Sequence, residues 1–257
     1  LSSIYQNNLS NGKLTTYYYK GTNINNYVSF AGLIWRVIRI NEDGSIRLIL
    51  NDGINDNTVY NFNPNYNNYT YMYYSNSDVT STSSSGTTYN GIKKTVDDWY
   101  NSNLSDYANY IEDSTFCEEA KVKWSSSYTS GNAEMIAKEE YTPSFDCKTD
   151  GNDKGILRLN AGLVTIDEYL KSGGIFFNSE DTLNSYLTPG NNSNFYWTMS
   201  PAGFVSLADA WRVVNANASN ANVHYLAPSV RPVISLKADT LVNDKNDGSS
   251  ANPYQIN

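Results

Sequence analysis

An α+β protein built from small twisted antiparallel sheets, with two or more short helices and long loops, is the fold class this 257-residue sequence predicts. Three observations predict it. Leu33–Ile40 and Ser45–Leu50 form a hairpin pattern around Asn41-Glu42-Asp43-Gly44, with β-branched residues alternating with arginine on both arms and Asp-Gly at the turn. Thr165-Ile166-Asp167-Glu168 spells a helix-capping box, Thr at the cap and Glu three residues later. The chain holds 22 tyrosines, much Asn, Ser and Thr, and only 17% charged residues, a mixture that suits strands, turns and polar recognition surfaces better than long helices.

In chain order, strands are expected at Thr16–Lys20, at Tyr27–Phe30 and on the two hairpin arms, whose alternation predicts one buried and one wet face. Residues 51–91 are rich in Tyr, Asn, Ser and Thr with little apolar periodicity, which reads as loops or short irregular strands. Ile92, Val96, Trp99 and Tyr100 then recur at helical spacing from near Gly91, and Leu104, Tyr107, Ala108 and Ile111 continue after a break. The span from Cys117 to Cys147 is poor in apolar residues and reads as a tethered insertion. The capping box opens a second helix that Gly173-Gly174 stops. Strands are expected at Gly162–Val164, Tyr196–Ser200, Trp211–Val214 and Val230–Leu236, the last beside an irregularity or at an edge because Pro232 cannot donate to a ladder. The expected organisation is one domain over 1–257 with a loop-rich insertion at about 51–160.

A net charge of −8 without a Lys/Arg cluster argues against nucleic acid or an anionic membrane as partner. No stretch approaches the roughly 20 apolar residues of a membrane span, so no membrane insertion is expected. The chain starts at Leu1, which we read as a chain trimmed of an export signal and an anchor. An even, sparse count of two cysteines fits one Cys117–Cys147 disulfide in an exported protein.

The residues give little catalytic chemistry. His224 is the single histidine, so no imidazole-rich metal site is expected, and no nucleophile elbow accompanies it. No metal and no cofactor are expected, and no enzyme. Asp146–Gly151 and Asn243–Gly248 look like calcium loops, but Lys148 and Lys245 stand where oxygen ligands belong, and turns explain both better. The paired acids Asp97-Asp98, Glu118-Glu119, Glu139-Glu140 and Asp167-Glu168 read as solvated surface, with Glu168 in its capping role. Trp35 and Trp197 are expected in the core and Trp99 on the first helix's apolar stripe. Trp211 remains open between core and a sugar-stacking platform.

The order of several short runs adds a resemblance. Tyr17-Tyr18-Tyr19-Lys20-Gly21, Val28–Gly32 leading into Trp35–Arg39, Asp98-Trp99-Tyr100 and Phe116-Cys117 come first. Gly162–Thr165 with Asp167-Glu168, Tyr196–Pro201, Val230–Ile234 and Asp247-Gly248-Ser249 before Asn252-Pro253-Tyr254 follow. Together they resemble exported surface proteins of Gram-positive gut bacteria. The C-terminal half looks like the C-type-lectin-like fold shared with formylglycine-generating enzymes and with the variable proteins of diversity-generating retroelements. The resemblance implies long loops that carry a ligand surface. The cysteines of this chain lie in the middle, so the formylglycine-generating activity is not carried over.

The window between Pro201 and Pro228 lacks Lys, Glu, Gln and Met, and every residue in it except Trp211 is reachable from Asn codons by adenine substitution. That is the habit of retroelement-diversified segments. A binding face is therefore expected at about 202–227, exposing Phe204, Leu207, Asp209, Trp211, Asn217, Asn220, Asn222, His224 and Tyr225. A buried strand pair with an Asn-rich hairpin loop would show the same composition. The expected function is recognition of a protein or glycan ligand outside a bacterial cell, by a secreted or surface-held chain. A subunit of a surface filament and a carbohydrate-active hydrolase are the alternatives.

Overall fold

The computed structural model describes residues 4–8, 15–124, 132–150, 153–188, 195–226, 228–240, 242–243 and 245–256. Gly151 and Ala227, at the ends of two segments discussed above, lie outside the described residues. The protein is α+β, mostly strands with few short helices, and its sheets are mainly antiparallel.

Strands β1 (Ile4–Asn8), β2 (Thr15–Tyr19), β3 (Tyr27–Phe30), β4 (Leu33–Ile40) and β5 (Ile46–Leu50) begin the first sheet. A small hairpin, β6 (Thr80–Thr82) and β7 (Thr88–Asn90), precedes helix α1 (Ile92–Asn103). Then come β8 (Ser114–Cys117), β9 (Val122–Trp124), β10 (Ala133–Met135), β11 (Ile156–Leu159), helix α2 (Ile166–Lys171) and β12 (Ile175–Phe176). The chain ends with β13 (Phe195–Phe204), β14 (Ala208–Val214), β15 (Asn217–Asn222), β16 (Val233–Leu236) and β17 (Tyr254–Gln255). The first sheet runs β1-β2-β4-β3-β17, with β5 on the other side of β4 and β16 beyond it. The second runs β12-β15-β14-β13-β10-β9. Gly162–Val164 is not a strand. Only Gly162 reaches a ladder, bridging Val233.

The predicted hairpin forms with a bulge at Ile38. Val37 faces Leu48, but Arg39 faces Arg47, so one extra residue turns Arg39 onto the side of its cross-strand arginine. The expectation of a wet arginine face is corrected here: Arg36, Arg39 and Arg47 are all buried. A buried cation requires partners, and each has them. Arg36 donates to Asn26 Oδ1 (2.6 Å) and the Ile24 carbonyl (3.1 Å), with its guanidinium 3.8 Å from the Tyr27 ring centre. Arg39 donates through Nε to Glu168 Oε1 (3.2 Å). Arg47 Nε lies 2.6 Å from the same oxygen but out of line for a hydrogen bond, so that contact is a charge pair.

The span expected as a loop-rich insertion supplies core instead. Phe62, Met72, Tyr73 and Tyr74 are fully buried and join the same cluster as Trp35 and Trp197. Asn68 Oδ1 accepts from Thr70 N–H (2.9 Å) to cap one short 3₁₀ turn, so the region folds through side-chain-to-backbone bonds rather than apolar periodicity. The Cys117–Cys147 span likewise contributes β9 and β10 to the second sheet.

Candidate functional site

The 202–226 window folds as the meander β13-β14-β15, and antiparallel register decides which side chains share a face. Asp209 opposes Asn222, Trp211 opposes Asn220, and Val213 opposes Ala218, so these six lie on one side. Half of that side is covered. Trp211, expected on the exposed face, is only 4% exposed, with its ring 5.3 Å from that of Phe176 and 6.2 Å from that of Tyr141. A large apolar ring within reach of two others is withdrawn from water, and Trp211 is core.

The other half is open. A groove of about 350 Å³ runs between β10 and the β13–β14 turn. Its rim is apolar: Met135 (43% exposed), Val205 (67%) and Leu207 (40%), with half-buried Phe204 beside them. Its floor is polar. Asn220 Nδ2 donates to Asp209 Oδ2 (2.9 Å), and desolvation raises the Asp209 carboxyl above its ordinary range against that bond. Asn222 Oδ1 accepts from His224 N–H (3.2 Å), which leaves its Nδ2 buried with no partner among the described residues. A buried unpaired donor costs about 1–3 kcal/mol, a cost that a ligand acceptor would relieve.

Five of the nine window residues therefore converge on the groove: Phe204, Leu207, Asp209, Asn220 and Asn222. Asn217 lies at the far end, paired with Ile175. His224 and Tyr225 are exposed outside the groove, the first with its ring 4.3 Å from that of Tyr66 and the second under the Arg212 guanidinium at 5.1 Å. The sequence reading missed Met135, which sits in a span judged poor in apolar content and reaches the site only because β10 pairs β13 at Ala133–Phe204.

A second cavity of about 330 Å³ gathers charge and sulfur, with Arg39, Arg47, Asp167, Glu168, Cys117 and Cys147 on its wall. The expected Cys117–Cys147 disulfide is corrected: both residues are thiols. The Cys147 thiol donates to the Gly155 carbonyl (3.0 Å), and a hydrogen bond with Cys117, then burial, pushes its pKa up. The raised pKa holds the Cys147 thiol in the protonated form, the opposite of an activated nucleophile. The acid pairs are corrected as well. Glu118, Asp167 and Glu168 are buried rather than solvated. Desolvation raises Glu118 and Asp167, although Asp167 meets Lys121 Nζ at 2.6 Å. Desolvation also acts on Glu168, but Arg47 and Arg39 outweigh it and hold its carboxyl below the usual range.

Among the described residues, no group of three or more His, Cys, Asp or Glu side chains could hold a metal ion, and no helix is long and apolar enough to cross a membrane. No family model matches the chain, and no curated protein or solved structure proves significantly similar to it.

Proposed function

We propose that this protein is a recognition module of a bacterial exterior, with a C-type-lectin-like fold, that binds a protein ligand through the groove between β10 and the β13–β14 turn. One observation carries the reading: three solvent-facing apolar side chains, Met135, Val205 and Leu207, rim a floor whose buried Asn222 Nδ2 has no partner among the described residues. An apolar contact patch around a few oriented polar groups is how protein interfaces are built. A glycan at this groove is the weaker reading, because the ring that would stack on a sugar, Trp211, is withdrawn beneath Tyr141 and Phe176. The window's composition supports a face that varies between sibling genes, with buried Ala208, Ala210 and Ala218 as the constant frame.

The test is a binding screen of the purified protein against arrays of extracellular proteins and of glycans. A protein hit that weakens at least tenfold on Leu207→Asp, and is unchanged by Asn217→Asp at the far end of the meander, is the expected result. Concentration-dependent self-association without array hits would replace the reading with a filament subunit. Turnover of a chromogenic glycoside that is lost on a single carboxylate substitution would replace it with a hydrolase.

A further inference from the structure

Another cavity lies away from the groove. It is a cleft of about 520 Å³ between the C-terminal half of α1, the β7 strand and the 55–61 loop, within the roughly 300–1,000 Å³ typical of small-ligand sites. From the chemistry of its wall we infer that it is a binding site for a neutral saccharide, separate from the protein-binding groove and independent of that reading.

Three aromatic rings line the cleft: Tyr60, Tyr89 and Trp99. Trp99 is half-buried, and its ring is held by the edge of fully buried Trp35 at 6.2 Å. Trp35 is itself fixed by an indole N–H bond to the Phe30 carbonyl (3.1 Å), so the platform is rigid before any ligand arrives. Trp99 lines the cleft and is only half-buried, so part of its indole is open to whatever fills the cleft.

The polar groups around the rings are amides and hydroxyls already oriented by a first bond. Asn55 Nδ2 donates to Tyr60 Oη (2.7 Å), which aims the phenol and leaves its proton to give. Asn103 Nδ2 donates to the Trp99 carbonyl (2.8 Å), leaving its Oδ1 as an acceptor. Asn90 Oδ1 accepts from Thr80 Oγ1 (2.9 Å), leaving its Nδ2 as donors. Such pre-aimed pairs of donors and acceptors match sugar hydroxyls, each of which both gives and accepts. Charge argues against ionic small ligands. Asp98 is the charged residue among the described lining, and Lys94 one turn earlier meets its two oxygens at 3.0 and 2.9 Å. A phosphate or carboxylate would find no cation here, and a cation would find its carboxylate already neutralised.

The experiment titrates the protein with neutral monosaccharides (glucose, galactose, mannose, N-acetylglucosamine) and their linear trimers, up to about 10 mM, a ceiling that covers weak binding. It follows the Trp99 indole N–H resonance, assigned by Trp99→Phe. A saturable shift of that resonance is expected with at least one sugar. Asn103→Arg, which places a long side chain across an exposed rim position, is expected to weaken the shift at least tenfold, and Leu207→Asp to leave it unchanged. No shift with any sugar overturns the inference, as does binding that survives Asn103→Arg. Sugar binding lost on Leu207→Asp but not on Asn103→Arg would move the saccharide to the groove and overturn both this inference and the protein-ligand reading.

Discussion

Glu168 serves two structures with one carboxylate. As the third residue of α2 it accepts the Thr165 backbone N–H through Oε2 (2.9 Å), completing the capping box. Through Oε1 it meets both Arg39 and Arg47, two like charges that the bulge sets directly opposite each other. Burial pushes Arg47 down to about 10, and Glu168 resists that shift. Glu168→Gln keeps an acceptor for the cap but removes the counterion of two buried cations. Stability should fall by about 3–5 kcal/mol, the range for breaking a buried pair. The pH dependence follows from the lowered pKa of Glu168. Its stabilisation is full above the unfolded-state value and is lost as pH falls through the lower folded value. Glu118 and Asp167 shift the other way, so each weakens the fold as pH rises through its raised value. Denaturant titrations should therefore show the gap between wild type and Glu168→Gln widest near neutrality and shrinking below about pH 4. A gap constant with pH would assign the loss to packing instead of charge.

At the scale of elements, local rules were readable and long-range partners were not. The hairpin, the start of α1 at Gly91 and the capping box all come from chemistry within a few residues, and the sequence shows them plainly. The arginines looked wet because their partner is remote: Arg39 and Glu168 are 129 residues apart. The window was half legible for the same reason. Its alternation marks which residues share a face, but Tyr141, from a distant loop, decides that Trp211 is covered while Asp209 and Asn220 are not. One legible glycine also has a hidden reason. Gly91 caps α1 with ordinary φ, so backbone freedom does not explain it. A Cβ there would stand 2.2 Å from the Ser77 carbonyl oxygen, and the Gly91 N–H donates to the Val79 carbonyl (2.8 Å). Gly91→Ala must push α1 off the 74–79 segment, at about 1–3 kcal/mol as for other overpacking. Thermal melts should show the loss, and in the cleft the Trp99 indole resonance should move with the helix. An unchanged melting temperature would mean that the segment yields freely.

For the whole molecule, the question is whether the tyrosine- and asparagine-rich span is an ornament on a smaller domain or part of its core. Composition argues for ornament, since residues 51–91 lack apolar periodicity. Burial argues for core. Ile54, Phe62, Met72, Tyr73 and Tyr74 are nearly or wholly removed from water, and the Phe62 ring lies 5.6 Å from that of Trp197 in the second half of the chain. The Trp197 indole N–H in turn donates to the Tyr60 carbonyl (2.9 Å). Full burial of one large apolar side chain contributes about 1.5–3 kcal/mol, and a domain's whole stability is about 5–15 kcal/mol. Five such side chains approach the entire margin, before counting the surface of Trp197 and α1 that their removal would expose. Replacing residues 51–91 with a short Gly/Ser linker should therefore abolish the cooperative heat-absorption peak in calorimetry and raise binding of a hydrophobic dye, as for a collapsed chain without fixed packing. A sharp transition surviving the excision would show that the strands outside the span form a core of their own, and the groove and the cleft would then belong to separable units.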